Sequence, residues 1–197
     1  YLVKDPADLP RVLKEAFCIA RTGRPGPVVI DIAKDVFTRE VNYEYPKKVN
    51  LRGYKGDFTG DKKEVEAVVK ALAEAKRPLF FVGGGVNLAD EAQDMLAVLD
   101  RTGIPVTTTL MGIGCIPNDR DNFLGMAGMH GSYAANMAIM ECDLLIAAGM
   151  RFDDRVTGVV NEFAPRAKIV HFDVDAAEIN KNVPVDYRVL GDLRWSL

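Results

Sequence analysis

From Asp61 onward, apolar runs typical of buried strands alternate with amphipathic helical segments, and this alternation constrains the possible folds most strongly. The predicted helices cover residues 62–76, 90–102 and about 133–141. The predicted strands cover residues 79–82, 104–109, 143–148, 167–172 and 187–190. Continuous apolar strands separated by helices indicate a parallel sheet covered on both faces. We therefore predict that residues from about 61 to 193 form an α/β fold, a Rossmann-like doubly wound parallel sheet.

The first sixty residues lack this alternation. Asp5 and Pro6 predict the start of an amphipathic helix that runs to about Thr22, and residues 28–32 form an apolar, β-branched run that predicts a buried strand. From residue 38 to about 60 the periodicity disappears, which is typical of a linker. Because the chain begins without Met and one helix and one strand are too little for a domain, we expect residues 1–37 to be the end of a domain, 38–60 a linker and 61–197 a complete second domain.

Composition and charge exclude several classes of protein. The chain has 197 residues with 25 Lys and Arg against 28 Asp and Glu, so its net charge is −3 and its pI about 5.5. Nucleic-acid binding usually needs a basic face, and a membrane span needs about 18 consecutive apolar residues. Neither feature is present in the sequence, so we expect no nucleic-acid partner and no membrane partner.

The sequence offers little chemistry of its own. Cys18, Cys115 and Cys142 have no metal-ligand spacing and are interpreted as structural, and His130 and His171 are too isolated to form a metal site. No nucleophile with a partnered base and no phosphate-loop lysine is found. The residues therefore predict a binding domain without a metal site.

In an open parallel sheet, ligands bind beyond the carboxyl ends of the strands. The segments that follow the predicted strands are rich in glycine and charge: 83–85, 109–112, 149–155 and 173–175. Arg151 and Arg155 can pair with phosphate oxygens, and Asp173 can accept hydrogen bonds from ribose or ribityl hydroxyls. The dinucleotide pattern GxGxxG is absent after the first strand of this sheet.

Each of these features also has a structural interpretation. Residues 83–85 can be a tight strand-to-helix turn, and Arg151 and Arg155 can form ion pairs within the protein. The segment 125–131 can be a turn whose methionines fill the core, or a loop shaped around a flat cofactor. The combination of four such strand ends favours ligand binding.

Seven segments, taken together and in this order, closely resemble the catalytic subunits of the acetohydroxyacid synthase (acetolactate synthase) family. They are TGRPGPV (22–28), VGGG (82–85), TGIPV (102–106), TLMG (109–112), GMHG (128–131), GMRFDDRVTG (149–158) and KIVHFDVD (168–175). The resemblance extends over nearly the whole chain. It implies the end of a thiamine-enzyme, pyrimidine-binding N-terminal domain over 1–37, the linker 38–60 and a central FAD-binding domain over 61–197.

The resemblance also implies a function. Family members use thiamine diphosphate and Mg²⁺ to condense two pyruvates, or pyruvate and 2-oxobutyrate, with loss of CO₂ in branched-chain amino-acid biosynthesis. It implies that the central domain binds FAD, and that the thiamine-activating glutamate and the Mg²⁺ ligands lie in the other domains, so that this piece is inactive alone. A homodimer or tetramer with a regulatory small subunit, in a bacterial-type cytoplasm, is the implied setting.

Family roles carry over to specific positions. The positions implied to bind FAD are Arg24, Gly83, Gly84, Gly85, Thr109, Leu110, Gly128, Met129, His130, Gly149, Met150, Arg151, Phe152, Asp153, Asp173, Val174 and Asp192. Those implied to lie near the substrate channel are Lys34, Met129, Asp154 and Arg155. Two alternatives stay open: the central domain of another thiamine-dependent carboligase, such as glyoxylate carboligase, or a nucleotide-binding module that stands alone.

Overall fold

The computed structural model describes residues 1–54 and 58–197, so Lys55, Gly56 and Asp57 of the predicted linker lie outside the described residues. The chain divides into two compact units, Tyr1–Asp57 and Phe58–Leu197. None of the helices in the described ranges is long and apolar enough to cross a membrane.

The described residues of the first unit form one α-helix, two very short strands and two 3₁₀ turns. Strand β1 (Leu2–Val3) pairs in parallel with β2 (Asp31–Ile32), and α1 (Leu9–Arg21) follows a 3₁₀ turn over Pro6–Asp8. The Asp5 side chain accepts a hydrogen bond from the Ala7 N–H, as the predicted helix start requires. Residues 39–54 contain neither helix nor strand.

The prediction of a buried strand over residues 28–32 is wrong. Only Asp31 and Ile32 form the strand, and the Val29 side chain is 77% exposed. Within the described part of this unit, β2 pairs only with the two residues of β1. A β-branched run is not buried when so little structure packs against it.

The second unit is built on six parallel strands. The strands are β3 (Pro78–Val82), β4 (Val106–Thr108), β5 (Phe123–Met126), β6 (Leu144–Ala148), β7 (Lys168–Asp173) and β8 (Tyr187–Leu190). The helices are α2 (Lys62–Glu74), α3 (Gly84–Ala89), α4 (Ala92–Thr102), α5 (Tyr133–Glu141), α6 (Asp154–Thr157) and α7 (Leu193–Ser196). The strand order is β5-β4-β3-β6-β7-β8, so the direction of winding reverses between β3 and β6. The predicted Rossmann-like doubly wound sheet is confirmed.

Both faces of this sheet are buried, which explains the continuous apolar strands. Because successive side chains of a strand point to opposite faces, Phe80 and Val82 of β3 join one core cluster while Leu79 and Phe81 join the other. Helix starts follow local chemistry. The Asp61 side chain accepts from the Lys63 N–H to cap α2, and the Ser132 hydroxyl accepts from the Ala135 N–H to cap α5.

Four elements of this unit were not predicted from the sequence: the helices α3, α6 and α7 and the strand β5. Helix α3 begins at Gly84, within a triple glycine whose low helix propensity predicts a turn. Strand β5 lies at one side of the sheet, is only half-buried, and contains Gly125 at φ +91°. Its pairing with β4 is irregular, with a register shift between Val106 and Thr108. Non-local pairing, rather than an apolar pattern, makes this segment a strand.

Candidate functional site

The predicted site residues of the second unit follow the carboxyl ends of all six strands of its sheet. Residues 83–85 follow β3, 109–110 follow β4, 128–130 follow β5, 149–153 follow β6, Asp173 ends β7 with Val174 after it, and Asp192 follows β8. The structure thus brings these residues to one end of the sheet, including the group after the unpredicted strand β5. Arg24 and Lys34 belong to the first unit, where both are exposed.

The turns after β3 and β6 pack directly against each other. The Gly85 N–H donates to the Gly149 carbonyl oxygen at 2.8 Å. A Cβ at Gly83 would lie 2.3 Å from that same oxygen, and a Cβ at Gly85 would lie 2.6 Å from the Gly149 Cα. The backbone contact between the two turns therefore requires Gly83 and Gly85, so the tight-turn interpretation accounts for both glycines without a ligand.

The segment after β6 turns sharply. Gly149 has φ +63° and Phe152 has φ +49°. The side chains of Met150 and Phe152 are buried in the core, at 5% and 2% exposure, so these two residues offer mainly their backbone to the carboxyl end of the sheet. The Arg151 side chain lies between them in sequence and is 59% exposed.

Arg151 takes part in an ion pair, as the structural interpretation expects. Its Nη2 lies 3.3 Å from Oδ2 of Asp153, whose Oδ1 accepts from the Arg155 N–H at 3.1 Å and so caps α6. An exposed pair of this kind contributes only about 0–1 kcal/mol to stability. At so small a cost, the Arg151 guanidinium can exchange this partner for an anionic ligand.

The turn that contains Gly128 and Met129 contacts the start of α6. The Met129 N–H donates to the Arg155 carbonyl oxygen at 3.0 Å, and a Cβ at Gly128 would lie 2.9 Å from that oxygen. The Asn136 amide holds the turn by accepting from the Gly128 N–H and donating to the Gly128 carbonyl oxygen. The Met129 side chain is 61% exposed, so the interpretation of core-filling methionines is wrong for this residue.

The polar side chains at the other strand ends are oriented by main-chain hydrogen bonds. Asp173 accepts from the Asp175 N–H at 2.9 Å, and Asp192 accepts from the Arg194 N–H at 3.0 Å to cap α7. Thr109 accepts from a main-chain N–H in the turn that follows it. These contacts fix where each side chain lies at the carboxyl end of the sheet.

Large apolar side chains are exposed after β4. Leu110 is 68% exposed, Met111 is 74% exposed and Ile113 is 53% exposed. The Asn87 side chain of α3 donates to the Met111 carbonyl oxygen at 3.2 Å and ties this turn to the one after β3. Exposed apolar groups beside a few oriented polar groups are typical of ligand-binding surfaces.

Residues 65–197 match the family model described as the central domain of thiamine pyrophosphate enzymes. The chain belongs to the thiamine pyrophosphate enzyme family.

Among the described residues, no three His, Cys, Asp or Glu side chains cluster in a way that could hold a metal ion.

Proteins named as acetolactate synthase large subunits, from bacteria and an archaeon, are similar to nearly the whole chain. The acetolactate synthase large subunit of Corynebacterium glutamicum is 48% identical over 194 residues, which are 98% of this chain and 31% of that protein. The probable acetolactate synthase large subunit of Methanocaldococcus jannaschii is 48% identical over 197 residues, which are 98% of this chain and 33% of that protein. The acetolactate synthase large subunit of Haemophilus influenzae is 44% identical over 196 residues, which are 98% of this chain and 34% of that protein. The resemblance to acetolactate synthases is confirmed, and the chain spans about a third of the length of these curated relatives.

Two residues that hold the segment after β6 were not singled out as site residues by sequence analysis. They are His171, on β7, and Asn182, in the loop before β8. A buried histidine within an apolar strand was the available signal for the first residue. The second follows no pattern in the sequence, because its contacts lie about thirty positions earlier in the chain.

Proposed function

We propose that this chain is part of an acetolactate synthase large subunit and that its second unit binds FAD. The observation that carries the proposal is the convergence of oriented polar groups and exposed apolar side chains at the carboxyl end of one doubly wound sheet. In such sheets dinucleotides bind where the strand order reverses, here between β3 and β6. The relatives named above support acetolactate synthase as the parent enzyme.

The residues present fit a flavin dinucleotide. The exposed side chains of Leu110 and Met111 suit a flat ring, Arg151 suits the pyrophosphate, and Asp173 suits hydroxyl groups. Gly83 and Gly149 allow the turns after β3 and β6 to pack closely, because a side chain at either position would collide with backbone atoms. The remaining positions of this unit named from the resemblance, including Asp192, are proposed to complete the site.

The bound FAD is expected to do no net redox chemistry, so its contribution is structural. The residues that would hold it are those after β3, β4 and β6, and they are oriented by contacts within the protein. Binding FAD would replace solvent over the exposed apolar side chains after β4. This burial supplies the main favourable term, at about 25 cal/mol per Å² of apolar surface.

We propose that Met129, Asp154 and Arg155, which belong to the second unit, line the substrate channel. The hydrogen bond from the Met129 N–H to the Arg155 carbonyl oxygen joins two of them into one substructure. Asp154 is the first residue of α6 and adjoins Arg155, and both side chains are exposed. A carboxylate and a guanidinium side by side suit a channel that admits anionic 2-oxo acids, which Arg155 would attract.

The reaction of the whole protein is proposed to be the condensation of two pyruvates, or of pyruvate and 2-oxobutyrate, with loss of CO₂. Thiamine diphosphate supplies that carbon–carbon chemistry when bound. We propose that it and Mg²⁺ are held by parts of the enzyme beyond residues 1–197, with residues 1–37, 38–60 and 61–197 in the domain roles described above. A homodimer or tetramer, a regulatory small subunit and a cytoplasmic setting complete the proposal.

The test is a spectroscopic titration of the purified chain with FAD and, in parallel, with NAD. We expect saturable binding of FAD and none of NAD, and we expect Arg151→Ala to weaken FAD binding. Arg166→Ala is the matched control, because Arg166 is also exposed and pairs with a carboxylate, that of Glu141, away from the strand ends. Tight NAD binding, or equal effects of the two substitutions, would overturn the proposed site.

A further inference from the structure

The 149–153 loop, which comprises Gly149, Met150, Arg151, Phe152 and Asp153, has a backbone conformation that needs outside support. Phe152 has φ +49°, which non-glycine residues adopt at a cost of about 1–3 kcal/mol. Its side chain is nevertheless buried to 2% exposure, packed edge-on against Phe163. Such a conformation persists only where surrounding contacts over-determine it.

Three consecutive carbonyl groups of this loop accept hydrogen bonds from side chains elsewhere in the unit. The Met150 oxygen lies 2.6 Å from His171 Nε2. The Arg151 and Phe152 oxygens both accept from the Asn182 Nδ2, at 3.2 Å and 2.9 Å. Two side chains thus provide hydrogen bonds to three consecutive carbonyl groups of the loop.

The protonation of these donors follows from their partners. A carbonyl oxygen carries no proton, so His171 Nε2 must carry the one in its hydrogen bond. The ring also packs edge-on against Phe152, with centroids 4.9 Å apart, and Nδ1 has no hydrogen-bond partner within the described ranges. For Asn182, the opposite amide orientation would place its oxygen against two carbonyl oxygens, so Nδ2 must face them.

The geometry assigns His171 and Asn182 a positioning role: together they hold the 149–153 loop in the conformation that presents Arg151 and Asp153 to a ligand at the carboxyl end of the sheet. His171 is fully buried on β7 and contacts the loop at Met150, whereas Asn182 is exposed and contacts it at Arg151 and Phe152. The consequence for ligand binding rests on the proposed FAD site. The consequence for the loop itself does not.

Asn182→Asp is the cleanest test, because the change is isosteric and the residue is exposed, so no core cavity forms. It places carboxylate oxygens against two carbonyl oxygens in place of a donor. Asn118→Asp is the matched control, since Asn118 is also exposed, lies between β4 and β5, and gains the same charge. The measurements are FAD affinity and amide hydrogen exchange by mass spectrometry.

We expect Asn182→Asp to weaken FAD binding about tenfold and to accelerate exchange at residues 155–157, whose N–H groups donate to Asp153. Exchange in β3 should not change, and Asn118→Asp should change neither readout. If Asn182→Asp leaves both readouts at the wild-type value, or accelerates exchange without weakening FAD binding, the positioning role is refuted while the proposed FAD site stands.

His171 is tested by a pair of substitutions, because removing a buried ring affects stability in any case. Gln retains an amide donor that can reach the Met150 oxygen, whereas Leu fills similar space without a donor. We expect His171→Gln to retain several-fold tighter FAD binding and slower loop exchange than His171→Leu. Equal values for the two variants would refute the role of His171.

If the wild-type chain binds no FAD, the proposal that this piece by itself binds FAD fails, and the exchange measurement alone decides the inference. Acceleration confined to residues 155–157 in Asn182→Asp would then support the positioning of the loop. Unchanged exchange would overturn it.

Discussion

The contact between the turns after β3 and β6 predicts an unusually large effect for Gly149→Ala. A Cβ at Gly149 would lie 2.7 Å from the Gly85 Cα and 2.9 Å from the Val86 N, closer than real Cβ contacts allow. The same residue has φ +63°, so alanine would also be forced into a left-handed conformation.

Two other glycines separate these two costs. Gly103 has φ +64° at the end of α4, and no described heavy atom lies within 4 Å of its Cβ position, so Gly103→Ala carries only the conformational cost of about 1–2 kcal/mol. Gly83 has φ −103° and a Cβ position 2.3 Å from the Gly149 oxygen, so Gly83→Ala carries mainly an overpacking cost of about 1–3 kcal/mol. Gly149→Ala carries both, about 2–5 kcal/mol.

The assay is urea unfolding followed by circular dichroism, with the midpoint and slope fitted for each variant. A stability loss in the order Gly149 > Gly83 ≥ Gly103 at constant slope is the expected result. If Gly149→Ala loses no more stability than Gly103→Ala, the close packing of the two turns contributes nothing and our explanation of these glycines is refuted. A variant that fails to fold at all counts as the largest loss in this series.

Two further predictions concern stability and reactivity. Burial tends to raise the pKa of Asp143, but hydrogen bonds from the Lys76 and Arg77 N–H groups outweigh burial and lower the pKa below 3.8. The carboxylate therefore stabilises the fold at higher pH, and this stabilisation is lost as the pH falls through the pKa of the folded state. Asp143→Asn should therefore cost about 1 kcal/mol near pH 7 and progressively less in acid, whereas a pH-independent difference would contradict this. Burial raises the pKa of the Cys142 thiol to about 12, whereas Cys18 is partly exposed. Cys18 should therefore react far faster than Cys142 with a thiol reagent under native conditions. Equal labelling rates of the two cysteines, measured by peptide mass spectrometry, would disprove this.

Local chemistry determined much of the second unit. The predicted bounds of α5 and β8, residues 133–141 and 187–190, agree with the structure because a Ser cap, a mostly apolar helical segment and a short run with Val189 and Leu190 are all signals carried within a few residues. The alternation of such runs also predicted the parallel sheet, since strands covered on both faces must be apolar throughout. The strand-end rule then indicated which segments would meet at one end of the sheet.

Only the tertiary structure decided what these segments do to one another. Strand β5 and helix α3 contain glycines that local patterns assign to turns, and both exist because neighbouring elements pair or pack with them. Gly85 packs against Gly149, and Asn182 donates hydrogen bonds to the 149–153 loop. Both contacts join residues that are far apart in the chain. Periodicity depends on residues that are close together in the sequence. Close backbone contacts of this kind instead depend on how distant segments are positioned once the sheet has formed.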